Sequence, residues 1–184
     1  MRYLLLFSIC LSSVFSYGQS KKIAFKLGNE YELPKGAQDL AFAGNQKDGL
    51  VNLALKKDEL TIVKFNPSTL DQTNASVIEL PELTKNFNSE IVAEFGDKYF
   101  WIHSDWDKEN QKELLYYDKV DVTTGKITSA NNKMLESSKI SGSRIGGSSM
   151  GFSFGGNKVV DKYDFNFDAD HKKLMVSYRL IPDD

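Results

Sequence analysis

The stretch whose reading decides the fold runs from Asp97 to Lys126, DKYFWIHSDWDKENQKELLYYDKVDVTTGK. Its apolar run, Tyr99-Phe100-Trp101-Ile102, is too short for a helix and too aromatic for a loop, so it reads as a buried strand. A polar patch follows from Ser104 to Lys112, carrying Asp105, Trp106, Asp107, Glu109 and Asn110. A second strand is expected over Glu113 to Val122. Thr123-Thr124-Gly125-Lys126 closes it, a turn in which glycine supplies a positive φ. Strand, polar loop, strand and turn together spell an antiparallel β-hairpin.

Working outward, the same grammar recurs. Ile23, Phe25 and Leu27 alternate with Ala24 and Lys26 as in a half-buried strand, and Tyr31 to Leu33 is a candidate to pair back on it. Val51, Leu53 and Leu55 share one face of a strand opened by Asp48-Gly49. Lys56 to Glu59 turns it, and Leu60 to Phe65 returns. Asn66-Pro67 ends the returning strand because proline cannot donate to a ladder. Short strands are expected over Ser76 to Leu80, Ile91 to Phe95 and Lys126 to Ser129, with a strand start at Val159-Val160. Leu174, Val176, Tyr178 and Leu180 alternate cleanly with Met175, Ser177 and Arg179. No window carries a helical stripe. The fold class is all-β, built of antiparallel sheets.

A weak repeat crosses these units: Lys64 to Thr69 aligns with Lys119 to Thr124, 55 residues later, each closing the returning strand of a hairpin. With the strand type Gly96-Asp97-Lys98-Tyr99-Phe100 and the turn Asp121-Val122-Thr123-Thr124-Gly125-Lys126, residues 48–180 resemble the secreted β-propeller-type repeat proteins of Bacteroidetes. That resemblance implies propeller-like blades, each a four-stranded sheet. Only two blades and the start of a third can be phased, whereas closure needs about four. The expectation is therefore a partial propeller, the N-terminal part of a longer one, with a β-sandwich as the alternative. The edge of the Leu174–Leu180 strand would then be open to self-association.

Residues 1–18 read as a secretory signal peptide. Arg2 provides the positive end, Tyr3 to Val14 the apolar run, and Ser16-Tyr17-Gly18 the small residues before cleavage at Gln19. The apolar run is shorter than a membrane span, so no stable membrane insertion is expected after cleavage. Residues 19–184 form a single exported domain, periplasmic or extracellular. The only cysteine, Cys10, lies in the leader, which leaves no disulfide and no thiolate chemistry. Charged residues make up 26% of the chain and the net charge is −2, so electrostatics offer no case for nucleic acid.

The chemistry-bearing motifs are few. Gly147-Ser148-Ser149-Met150-Gly151 matches a nucleophile elbow, with Asp164 or Asp168 and then His171 in hydrolase order. No strand–turn–helix context surrounds it, and it reads as a glycine-serine loop. Asp105, Asp107 and Glu109 alternate as Ca²⁺ ligands do, yet lack the central glycine and distal glutamate of a calcium loop, and read as a solvated hairpin tip. His103 and His171 come from separate units and set up no zinc site. Trp106, placed among charges, is the aromatic best suited to contact a partner. The expected site is thus Asp105, Trp106, Asp107 and Glu109, with no catalytic residue, no metal ligand and no cofactor. The expected function is non-catalytic binding of a protein, peptide or glycan through loops. The alternatives are the propeller part of a secreted hydrolase and a structural cell-surface module.

Overall fold

The computed structural model describes residues 27–80, 87–95, 97–140 and 162–180. The leader (1–18), most of the strand expected over 23–27, the Ser149 motif and the Val159-Val160 strand start lie outside these residues. Ten strands and no helix are present among them. β1 (Gln38–Asn45), β2 (Gly49–Lys56), β3 (Glu59–Phe65) and β4 (Gln72–Glu79) form one antiparallel sheet in sequence order. A second sheet repeats the pattern with β5 (Asn88–Phe95), β6 (Lys98–Asp107), β7 (Lys112–Asp121) and β8 (Lys126–Ser137). β9 (Tyr163–Phe167) and β10 (Leu174–Tyr178) make a two-stranded ladder. The sheets do not close on one another among the described residues.

The alternation of β6 and β7 explains the stacking. Tyr99, Trp101 and His103 share a face with Tyr116, Asp118 and Val120, while Ile102, Ser104 and Trp106 share the other with Tyr117, Leu115 and Glu113. On the first face Tyr99, Trp101, Val120 and Val122 pack against Val51, Leu53, Leu60 and Ile62 of the first sheet. On the second, Ile102 and Leu115 join Ala93, Ile140 and Tyr163, with Phe165, Phe167, Leu174 and Val176 of the ladder around them. The middle sheet is therefore covered on both sides.

Turns join the first two sheets at one end. Gly49 has φ +117°, and a Cβ there would lie 2.8 Å from the Val122 carbonyl oxygen, so only glycine lets the two turns approach. Thr123 Oγ1 donates to the Asp48 carbonyl across the same gap at 3.0 Å.

Several boundaries differ from expectation. The polar patch is mostly strand: β6 runs on through Asp107, and only 108–111 turn. Ser104 and His103 tolerate burial there because each finds a side-chain partner, Glu90 and Asp118. β8 extends to Ser137 rather than Ser129. It is an edge strand with many exposed positions, so its polar composition hid it. β1 was not foreseen because its inward residues are small, such as Ala43. Tyr31 to Leu33 forms no strand; Tyr31 instead packs edge-on against Phe65 at 4.9 Å. Leu174–Tyr178 pairs with Tyr163–Phe167.

Candidate functional site

The expected hairpin site is dispersed. Asp105 and Trp106 lie in β6 and are half-buried, so Trp106 is not the exposed loop residue its charged neighbours suggest. Asp107 is committed to the turn: Oδ1 accepts from the backbone of Glu109 and Asn110 at 3.0 and 3.1 Å, and Oδ2 from the Asn110 side chain at 2.7 Å. The Asn110 side chain first, and then its backbone N–H, hold the Asp107 carboxyl below its ordinary range. Glu109 is exposed at the tip. Of the hydrolase series, His171 stacks on Phe167 with ring centroids 5.3 Å apart. Asp168 accepts from the backbone of Lys172 and Lys173, capping its own turn. Ser149 is outside the described residues.

Two polar clusters inside the fold were not foreseen, and they occupy opposite faces of the β6–β7 hairpin. On the ladder side, Glu113 is fully buried. Its Oε1 accepts from the Lys162 ammonium and, at 3.2 Å, from the Tyr163 hydroxyl. Its Oε2 is buried with no hydrogen-bond partner among the described residues. Burial raises the Glu113 carboxyl above its ordinary value, while Lys162 and Tyr163 oppose the shift and the charge of Glu90 adds to it. Burial, followed by the charge of Glu113, pushes the Tyr163 phenol well above its ordinary value. Glu90 accepts from Ser104 Oγ at 2.6 Å beside this group. A raised carboxyl, an ammonium and a second carboxylate in one place are ingredients of proton transfer.

On the other face, His103 and Asp118 are paired at 3.3 Å, with side chains only 7% and 4% exposed. Asp118 Oδ1 also accepts from the Asn131 N–H at 2.6 Å, where β8 bulges and Asn131 takes φ +53°. Nothing in the linear spacing announces either cluster. Lys162 lies 49 residues from Glu113, and Glu90, His103, Ser104, Glu113 and Asp118 sit in strands where they look like solvent-facing alternates.

A model of the MvaI/BcnI restriction endonuclease family matches residues 16–170. No curated protein and no solved structure matches. The family match corrects four expectations: the resemblance to secreted propeller repeats, the non-catalytic binding role with its hydrolase and structural alternatives, the view of the chain as more binder than enzyme, and the exclusion of nucleic acid as a partner. Net charge misled on the last point because it averages over the whole surface and says nothing of a local site. With the match running over most of its length, the chain belongs to the MvaI/BcnI restriction endonuclease family.

Proposed function

We propose that the chain is a DNA-cleaving enzyme that hydrolyses phosphodiester bonds. The observation that carries this is the family match over residues 16–170. The match selects DNA; the geometry by itself supplies a proton acceptor beside a cation. In this reading Glu113 takes the proton of the attacking water on Oε2, the oxygen that has no partner among the described residues. The water oxygen bonds to phosphorus, the P–O bond to the leaving sugar oxygen breaks, and that oxygen takes a proton from solvent. Lys162 places positive charge where the phosphoryl oxygens gain negative charge. Because Glu113 is fully buried, a phosphodiester reaches it only after the groups over it, Tyr163 among them, move aside.

Nucleases commonly employ divalent cations. Among the described residues no group of three or more His, Cys, Asp or Glu is placed to hold one. Glu113 Oε1 is already committed to Lys162 and Tyr163. The described residues therefore supply no cage of three protein ligands for Mg²⁺, nor for Ca²⁺ at Asp105, Asp107 and Glu109.

The test is conversion of supercoiled plasmid to nicked or linear product, with Mg²⁺ and with chelator. Glu113→Gln and Lys162→Met should each lower the rate by about a hundredfold or more. A wild-type chain that cuts no DNA under either condition ends the reading. Cleavage that both variants retain would leave the activity and remove the site.

Three further readings stand as proposals. Export of a chain beginning at Gln19 is checked by sequencing the mature N-terminus. Asp105, Trp106, Asp107 and Glu109 are proposed as contacts at the rim rather than as chemistry. The serial stacking of meanders supports a blade-like arrangement of the sheets.

A further inference from the structure

Between the first two sheets lies a cleft of about 150 Å³, lined by Ile78, Leu80, Phe87, Trp101, His103 and Asp118 among others. Its walls are largely apolar, part aliphatic and part aromatic. Phe87 and Trp101 meet with centroids 6.0 Å apart, and Trp101 and His103 with centroids 4.7 Å apart. A carboxylate only accepts hydrogen bonds, so in the neutral imidazole facing Asp118 the proton sits on Nε2. Nδ1 is then an acceptor. It is buried and finds no hydrogen-bond partner among the described residues. An unsatisfied buried acceptor is costly, and proteins rarely carry one without a use.

We propose that this cleft is a binding site for a flat nitrogen heterocycle that donates an N–H to His103 Nδ1. The chemistry follows from the lining. Aromatic and aliphatic walls accept a planar ring. Of the polar side chains in the lining, the carboxylates of Asp118 and Glu79 and the unpartnered His103 Nδ1 accept, while the Asn131 amide both accepts and donates, so the lining as a whole favours N–H donors and repels anions. The site therefore excludes phosphate and is distinct from the Glu113 cluster on the opposite face of β6–β7. It does not rest on the cleavage reading, and plasmid nicking does not decide it.

Trp101 reports the site directly. In a Trp106→Phe background it is the sole tryptophan, because the chain has two. Adenine and benzimidazole, titrated separately, should change its fluorescence saturably. 1-Methylbenzimidazole, which carries a methyl group in place of the N–H, should bind about tenfold more weakly or worse, the loss of at least roughly one hydrogen bond. Ala130 lines the cleft and is exposed, so Ala130→Leu should plug it without disturbing the core. His103→Ala should weaken benzimidazole and leave the methylated ring unchanged. If His103→Ala fails to fold, the methylated ring and Ala130→Leu still decide. The absence of a saturable change, meaning that water alone satisfies Nδ1, overturns the proposal. So does equal binding of the two benzimidazoles, or unaltered binding in Ala130→Leu.

Discussion

Replacing Lys162 by methionine tests the buried cluster at its most sensitive point. The ammonium is 3% exposed and Glu113 not at all, so removing the cation leaves a carboxylate in the interior with one remaining donor, the Tyr163 hydroxyl. Breaking one side of such a pair costs about 3 to 5 kcal/mol, because the surviving charge keeps its desolvation penalty and loses its partner. The cost must depend on pH, with a sign that follows from linkage. Burial holds the folded Glu113 above its ordinary value of 4.5. Between the unfolded and folded values the folded state carries the extra proton, so stability is highest below 4.5 and falls as pH rises through the folded value. Lys162 opposes that shift, and Lys162→Met therefore moves the folded value further up and extends the falling region toward neutral pH. Urea unfolding followed by tryptophan fluorescence at about pH 4 and about pH 8 should show a small loss at the lower pH and the full loss at the higher. The double variant Glu113→Gln, Lys162→Met should recover part of it at the higher pH, since no charge is then left buried. A loss below about 1 kcal/mol at both values would refute the description of the pair as a desolvated one.

Three other outcomes are expected. Trp101→Ala, which empties the face between the first two sheets, should cost about 3 to 5 kcal/mol in chemical denaturation. Trp106→Ala should cost about 1 to 2, since Trp106 is half-buried; equal losses would contradict the two placements. Gly49→Ala should lower stability by about 1 to 3 kcal/mol through the positive φ and the contact with the Val122 carbonyl, read as a fall in Tm. Glu136, held by Lys112 and Lys133, should titrate at about 2 in a carbon-detected NMR series. That value should rise toward the ordinary one in strong salt, because the side chains are partly in water. The stability this exposed group contributes is present above 4.5 and is lost as pH falls through its folded value.

The class and the strand grammar were legible because period-2 alternation survives wherever one face is buried. Val51, Leu53 and Leu55, and likewise Leu174, Val176 and Tyr178, show it directly, and both stretches are strands. Alternation failed where strand residues were polar on both faces. Ser104, Asp105 and Asp107 belong to β6, yet their types are those of a turn. The 55-residue offset between Lys64–Thr69 and Lys119–Thr124 did correspond to something physical, since both segments end the third strand of a four-stranded meander. Internal repetition of this kind reports architecture. It carries no statement about ancestry or chemistry, and that is why the functional inference drawn from it failed.

The candidate site was hidden for a different reason. A buried polar group is recognised by its partner, and the partners here come from elsewhere in the chain: Lys162 for Glu113, Glu90 for Ser104, Asp118 for His103. In the linear chain each of these residues looks like an ordinary polar alternate. The β6–β7 register then sorts them, placing Glu113 and Ser104 on one face and His103 and Asp118 on the other. Slipping β7 by one residue against β6 would exchange the faces of β7 alone, sending the carboxylate of Glu113 toward Trp101 and that of Asp118 toward the β9–β10 ladder. Glu113 would leave Lys162 and Asp118 would leave His103, and the penalties of these unpaired buried groups would add to the cost of misplacing Val120. The polar clusters therefore specify the pairing of the central hairpin as well as the chemistry available on either side of it.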